Sequence, residues 1–452
     1  MSLYLLMFRQ FVRTRICQLG LSMVLVLGII SIFIGKQFLD KQRATAAQVA
    51  ETQQEHIKRN VDLHKDDLGL LLYYLKFAVV NDVSPLAGLS IGQKDINPSV
   101  QNVTILALEG QKYDADLVNP ATLLFGNLDL SFLIVYVFPL LVIAFNYNLL
   151  SEEEEGGTWK MVSVMSVHRW RHLFTKMSVR AVLLFGVLII LFIIAAGILG
   201  IEYNLAFSKI ILTSMLYIAF WFAIVAFIIS LRRSSNFNAV ALLFCWLIFL
   251  ILIPAVLNNV IVNKYPMPEA FTTMIKQRDG YHEKWDTNKR ETVEKFYKQY
   301  PQFSSYGFPS EASKLQWLWY YAMQNLGDVE SKEESALLEA KVLKRDDVSQ
   351  TWSMLVPSLH AQLIFNSLAG TGMENYLDFL NYTEQFHEKT RLYLYPKIFS
   401  YNKAEGVDWD RFKPEHVSFE AHITWSHLLL PFIGAIFLLV CATLISFRYF
   451  NS

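Results

Sequence analysis

Six windows without a single Asp, Glu, Lys or Arg divide the chain: Ile16–Gly35, Leu130–Ser151, Ala181–Ile201, Ile210–Leu231, Ser234–Asn263 and Ala421–Phe447. A helix needs about 20 mostly apolar residues to cross a hydrocarbon core, and every window supplies that length. The pattern predicts six transmembrane helices. The first is expected to be retained rather than cleaved, because its apolar run is long and no small-residue cleavage site follows it.

Between the windows the charges crowd together, and the largest such regions are residues 37–129 and 262–420. Residues 1–36 read as an amphipathic lead-in, with Leu5, Phe8, Phe11 and Val12 among arginines, running into the first span. From Phe38 to about Val80 the composition favours one long helix, or a helical hairpin, that carries the first span away from the membrane. Val100 to Leu108 carries Val and Ile in partial alternation, which predicts a short strand. Pro139 should kink the second span, 130–151. In the fifth window Pro254, Asn258 and Asn259 predict a span that ends near Pro254 and continues as a re-entrant segment, the two together covering 234–261. Helices are expected at Glu311–Met323 and Glu330–Lys344, with Trp317, Trp319, Tyr320 and Tyr321 as domain core. The expected fold is mainly α: a polytopic membrane protein with six transmembrane helices and two mostly helical extracytoplasmic domains. The remaining spans are 181–201, 210–231 and 421–447, and 152–180 forms a loop.

Composition adds one point. The 452 residues are 53% hydrophobic with a formal net charge of zero, so no global field argues for a nucleic acid partner. Where the charges lie says more. Arg9, Arg13 and Arg15 precede the first span, Lys160 to Arg180 follow the second, Arg232 and Arg233 follow the fourth, and Arg448 follows the sixth. With six spans these segments share one side, and their basic character makes it the cytoplasmic one, with both termini there.

The loop after the second span holds the candidate chemistry. Glu152, Glu153, Glu154 and Glu155 open a short helix, where negative charge is favoured. Trp159, Val162 and Met165 then recur at helical spacing, and a basic run leads into the next span. This succession of a Ser-Glu start, Gly157-Thr158, a short apolar helix and a basic run resembles the ABC-2-type permeases. So does Val356-Pro357-Ser358-Leu359 followed by Leu368-Ala369-Gly370-Thr371, which is similar to the outer-domain signature of a bacterial subgroup with two large extracytoplasmic domains. The resemblance implies that Glu152, Glu153, Glu154, Glu155, Thr158, Trp159, Val162 and Met165 form a coupling helix against a separate ABC ATPase subunit. It further implies a second permease chain, identical or a sister, alternating access, and outward transport across a bacterial inner membrane.

No G-x-x-x-x-G-K-[ST] phosphate loop occurs, so ATP and Mg are expected on the partner ATPase, with no cofactor and no catalytic residue in this chain. His168 and His172 are four residues apart but lack a nearby third metal ligand. The Glu run lacks the Arg and intramembrane His that a membrane protease of the Glu-Glu type requires. Two rivals stay open. In one, an ATP-driven mechanotransmitter or assembly factor acts on an envelope protein through the outer domains, and nothing crosses the bilayer. The other is a structural membrane anchor without an ATPase.

Overall fold

The computed structural model describes residues 3–112, 127–157, 159, 169–308, 316–420 and 422–449. Six of its helices are long and apolar enough to cross a membrane: Arg15–Leu63, Leu130–Glu155, His172–Leu199, Leu205–Ser230, Ser235–Lys264 and Trp425–Phe447. The chain is a mainly α-helical membrane protein.

A short helix, Leu3–Val12, precedes the first span, and Thr14 caps the start of the next helix by accepting from the Cys17 N–H. That next helix settles the choice between rod and hairpin. Arg15–Leu63 is one uninterrupted helix of 49 residues, apolar in its first half and polar in its second. It stops well short of Val80, because Asp67 caps a separate helix, Leu68–Tyr74, and β1 (Phe77–Asn81) follows. The strand expected near Val100 is β2 (Val100–Val103), antiparallel to β1.

The two polar regions, expected as separate domains, build one body. Near the chain's end, β3 (Glu415–Val417) pairs parallel to β1, giving a sheet in the order β2-β1-β3 that joins the first region to the second. One hydrophobic core likewise draws Ile57, Leu71 and Phe77 from the first region and Phe296, Trp319, Tyr321, Tyr395 and Phe399 from the second. The core is shared between the two regions. The aromatic cluster expected as core lies there: Trp319 and Tyr321 are fully buried, at the start of a helix that runs unbroken through Trp317–Ser353.

A second core fills the bundle of spans, where Phe138, Phe192, Tyr217, Trp221 and Phe432 are all buried. The Pro357–Ala369 helix plugs one end of it, burying Ala361, Ile364, Phe365 and Leu368 between the fourth and sixth spans. Gly370, at φ 69°, takes the left-handed turn that ends this helix. The polar body is rooted at a backbone crossing, where Gly35 of the first span meets Gly88 so closely that a Cβ on Gly35 would lie 1.9 Å from the Gly88 carbonyl oxygen.

Proline shapes two spans in the same way. A π-helical turn, Leu133–Val137, stands directly before Pro139 and another, Ile248–Leu252, before Pro254. The break expected at Pro254 is absent: the helix continues as Ile253–Lys264, carrying Asn258 and Asn259 with it. The wide turn absorbs the steric demand of the ring, and other helices satisfy the carbonyls that lose their N–H donor. Tyr217 donates to the Val135 carbonyl at 2.8 Å, Trp246 to Tyr136 at 3.0 Å, and Ser358 to Phe249 at 2.5 Å.

Candidate functional site

The acidic run lies at the end of the bundle away from the polar body. Residues Ser151–Glu155 form a five-residue helix, and Gly156 and Gly157 end it, with Gly157 at φ 72°. The acidic helix stops at the glycines, and Trp159 beyond them is again helical. Thr158, Val162 and Met165 lie outside the described residues, as does His168. Trp159 packs half-buried against the bundle core.

Each carboxylate meets a different part of the same chain. Glu153, its side chain only 12% exposed, pairs with Lys176 and with His172 at 3.1 Å. Both partners lie on Arg169–Leu199, because the basic run from Arg169 onward is not loop but the opening turns of the third span's helix. Glu154 faces Arg232 at 3.3 Å, in the turn between the fourth and fifth spans. Arg232 sits at φ 51°, a left-handed conformation that costs a non-glycine residue on the order of 1–3 kcal/mol. Glu155 accepts from the Ser235 N–H at 2.8 Å and the Ser235 hydroxyl at 3.0 Å, which places a carboxylate on the N-terminus of the fifth span. Glu152 is exposed and accepts from Asn148 at 2.9 Å.

The acidic helix is thus a clamp that holds the ends of the second, third and fifth spans together. Its carboxylates could be found in the sequence, but their partners Lys176, Arg232 and Ser235 are up to 80 residues away and carry no periodic signal. The lead-in helix adds a contact at the same end. Phe11 meets the Phe145 ring edge-on at 5.3 Å, and the Arg180 guanidinium lies 4.9 Å from the Phe11 ring centre while donating to the Phe145 carbonyl.

Two further polar clusters went unmarked in the sequence. At the junction of bundle and polar body, Asp129 accepts from the N–H groups of Phe132 and Ile91, both at 2.8 Å, and from the Ser131 hydroxyl at 2.7 Å. Burial pushes its carboxyl up to about 6 even so. Gln362 donates to Ser131 at 3.2 Å and to Asn366 at 3.0 Å, tying the Pro357–Ala369 helix into this network.

Inside the polar body, Asp328 binds Arg391 at 2.5 Å and accepts from the N–H groups of Leu108 and Glu109 at 2.7 and 3.1 Å. Arg391 also donates to the Leu106 carbonyl at 2.8 Å, so the pair fastens the first polar region to helices Trp317–Ser353 and Met373–Phe399. Burial raises the Asp328 carboxyl although Arg391 pulls it back. His387 is held well below its ordinary value by burial and by Arg391, and stays neutral.

A family model described as a domain of unknown function (DUF3526) matches residues 271–416. Asp328, Glu384, His387 and Arg391 fall within the matched segment, and the acidic helix falls outside it. No curated protein matches the chain. No solved structure matches it either.

Proposed function

We propose that this chain is the membrane-spanning permease subunit of an ABC-2-type transporter, and that a separate ATPase bears on the corner built around Ser151–Glu155. The clamp carries this reading. A five-residue helix that grips the third span through Glu153, the 4–5 turn through Glu154 and the fifth span through Glu155 cannot move without moving all three. A push on that corner becomes a rocking of the bundle. The ATPase supplies ATP and Mg; this chain supplies no catalytic step. In this reading the acidic corner and both termini face the cytoplasm of a bacterial cell, and the polar body lies beyond the inner membrane. Large aromatic side chains fill the interior of a single chain, which supports a pathway lined by two chains, this one paired with a second copy or a sister permease.

One observation favours the mechanotransmission reading. The Arg15–Leu63 helix enters the polar body as well as the bundle: Ile57 lies in the polar core, and Gln53 donates to Phe412 and accepts from Ala78. Bundle motion would reach an envelope partner through this rod.

The experiment is co-purification of the tagged chain with the ATPase subunit from its host. It compares wild type with Glu152→Ala, which leaves the three clamp contacts in place, and with Glu153→Ala. The expected result is capture by wild type, weaker capture by Glu152→Ala, and retained capture with loss of coupled hydrolysis in Glu153→Ala. If wild type captures no ATPase, the proposal fails.

A further inference from the structure

A further stretch without Asp, Glu, Lys or Arg runs from Val348 to Met373, interrupted by polar residues such as His360, Gln362 and Asn366. About 20 residues suffice for a crossing, yet this stretch is not one of the six spans. It holds the last turns of the Trp317–Ser353 helix, a short joint, and the Pro357–Ala369 helix that plugs the bundle. The side chains at the joint are apolar and open. Leu355 is 73% exposed, and Trp352 and Met354 are exposed too.

Contacts on either side of the joint give its depth. Gln362 donates to the Ser131 hydroxyl, beside Leu130 where the second span begins, so the middle of the plug helix lies at the rim of the bundle. One helical turn earlier, the Ser358 hydroxyl donates to the Phe249 carbonyl. At 1.5 Å per residue Phe249 stands roughly 21 Å along the fifth span from Ser235, inside a hydrocarbon core of about 30 Å. On the other side of the joint, Arg345 donates to the Tyr265 carbonyl at 2.8 Å, roughly 24 Å farther along from Phe249 and clear of that core. The chain drops from the one level to the other through Trp352, Met354 and Leu355. Within the same interval of the fifth span, Leu252 and Val256 are exposed and apolar.

The joint is also built for a medium that offers no hydrogen bonds. Its N–H groups are satisfied locally, Met354 by Thr351, Leu355 by Trp352 and Val356 by Ser353, at 3.3, 3.1 and 2.8 Å. The Ser353 hydroxyl is buried and donates to the Gln350 carbonyl at 2.6 Å. Lipid demands such self-sufficiency and water does not. The nearest preceding charges, Lys344, Arg345, Asp346 and Asp347, stop a full turn before Trp352. We propose that this joint is inserted in the leaflet on the polar-body side, with Met354 and Leu355 among the acyl chains and Trp352 at the headgroups, the level that tryptophan favours. The lipid-facing surface of the fifth span then continues into the polar body. The Trp317–Ser353 helix, whose first turns carry the aromatic core, is fastened to the bilayer directly and not only through the Arg15–Leu63 rod. The inference needs only that the six helices cross a membrane, and stands apart from the transport reading.

The test uses the full chain in phosphatidylcholine nanodiscs, with Cys17, Cys245 and Cys441 changed to Ala and one spin label attached through Leu355→Cys. Val256→Cys supplies the lipid reference and Leu63→Cys, exposed at the end of the rod, the water reference. Collision with oxygen, which concentrates in acyl chains, is compared with collision with a water-soluble nickel chelate. The label at 355 should match the one at 256, with oxygen access several-fold above chelate access, and the label at 63 should show the reverse. Met354→Cys should read as Leu355→Cys does, and decides the matter where the first variant does not fold. A label at 355 open to the chelate would put the joint in water, and one shielded from both reagents would put it against protein, a second copy included. Either result overturns the proposal.

Discussion

Tyr217 donates its hydroxyl proton to the carbonyl of Val135, the acceptor four residues before Pro139 that the proline ring leaves without its helical N–H. The fourth span thereby completes the second. Tyr217→Phe leaves a buried carbonyl unpaired and should cost about 1–3 kcal/mol. In a Pro139→Ala background, where the helix regains its donor, the same substitution should cost much less. Thermal unfolding of the four proteins of this double-mutant cycle in detergent measures the difference.

At the opposite end, the grip of Glu155 on Ser235 is an N-terminal cap supplied by another helix. Glu155→Ala should destabilise the bundle by about 1 kcal/mol, the usual worth of a cap. Glu155→Gln, which keeps an acceptor but not the charge, should lose less. Thermal shift in high and low salt separates the two contributions.

Arg391 is the partner that makes a buried Asp328 tolerable. Arg391→Ala should cost about 3–5 kcal/mol, because it strands a carboxylate in the polar body and leaves the Leu106 carbonyl to His387 alone. Replacing both members, as Asp328→Asn with Arg391→Met, keeps an acceptor for the Leu108 and Glu109 N–H groups without a stranded charge and should recover part of the loss. Limited proteolysis of the polar body is the readout, and the segment around Leu106 should be cut first in the single variant.

Asp129 sets a pH dependence. Its carboxyl is raised from 3.8 to about 6 in the folded protein, so between about pH 4 and pH 6 the native state holds a proton that the unfolded chain has released. Stability from this group is full below pH 4 and falls as pH rises through that window, by at most about 3 kcal/mol. Asp129→Asn should flatten the Tm-against-pH profile there.

Gly35 tolerates no side chain. Gly35→Ala drives a Cβ into the Gly88 backbone, which cannot rotate away, and should cost about 1–3 kcal/mol by overpacking. Cysteines introduced on either side of this crossing should cross-link in wild type and lose reactivity in the variant.

The spans were legible because lipid imposes a length and forbids charge, and both leave a mark in any 20-residue window. Short-range signals also carried through: the strand at Val100 and the aromatic core at Trp319. What could not be read depends on pairs far apart in the chain. Nothing near Phe77 announces that Glu415–Val417 will lie beside it, so one body looked like two domains. Pro254 reads as a break because the donor that rescues its turn, Ser358, belongs to another helix. Glu153 reads as a surface charge for the same reason, its partner being Lys176. Asp328 gave a faint hint, as a lone acid closing the apolar run that begins at Trp317.

The parallel pairing of β1 with β3 also sets the order of folding. Four candidate spans lie between these strands, and all must be made before β3 exists. At about 5–20 residues per second, β1 and β2 wait some tens of seconds with one edge unpaired. An open edge of that kind invites association with other chains. The newly made chain is therefore most exposed to aggregation on the side of the polar body until β3 is made and closes the seam.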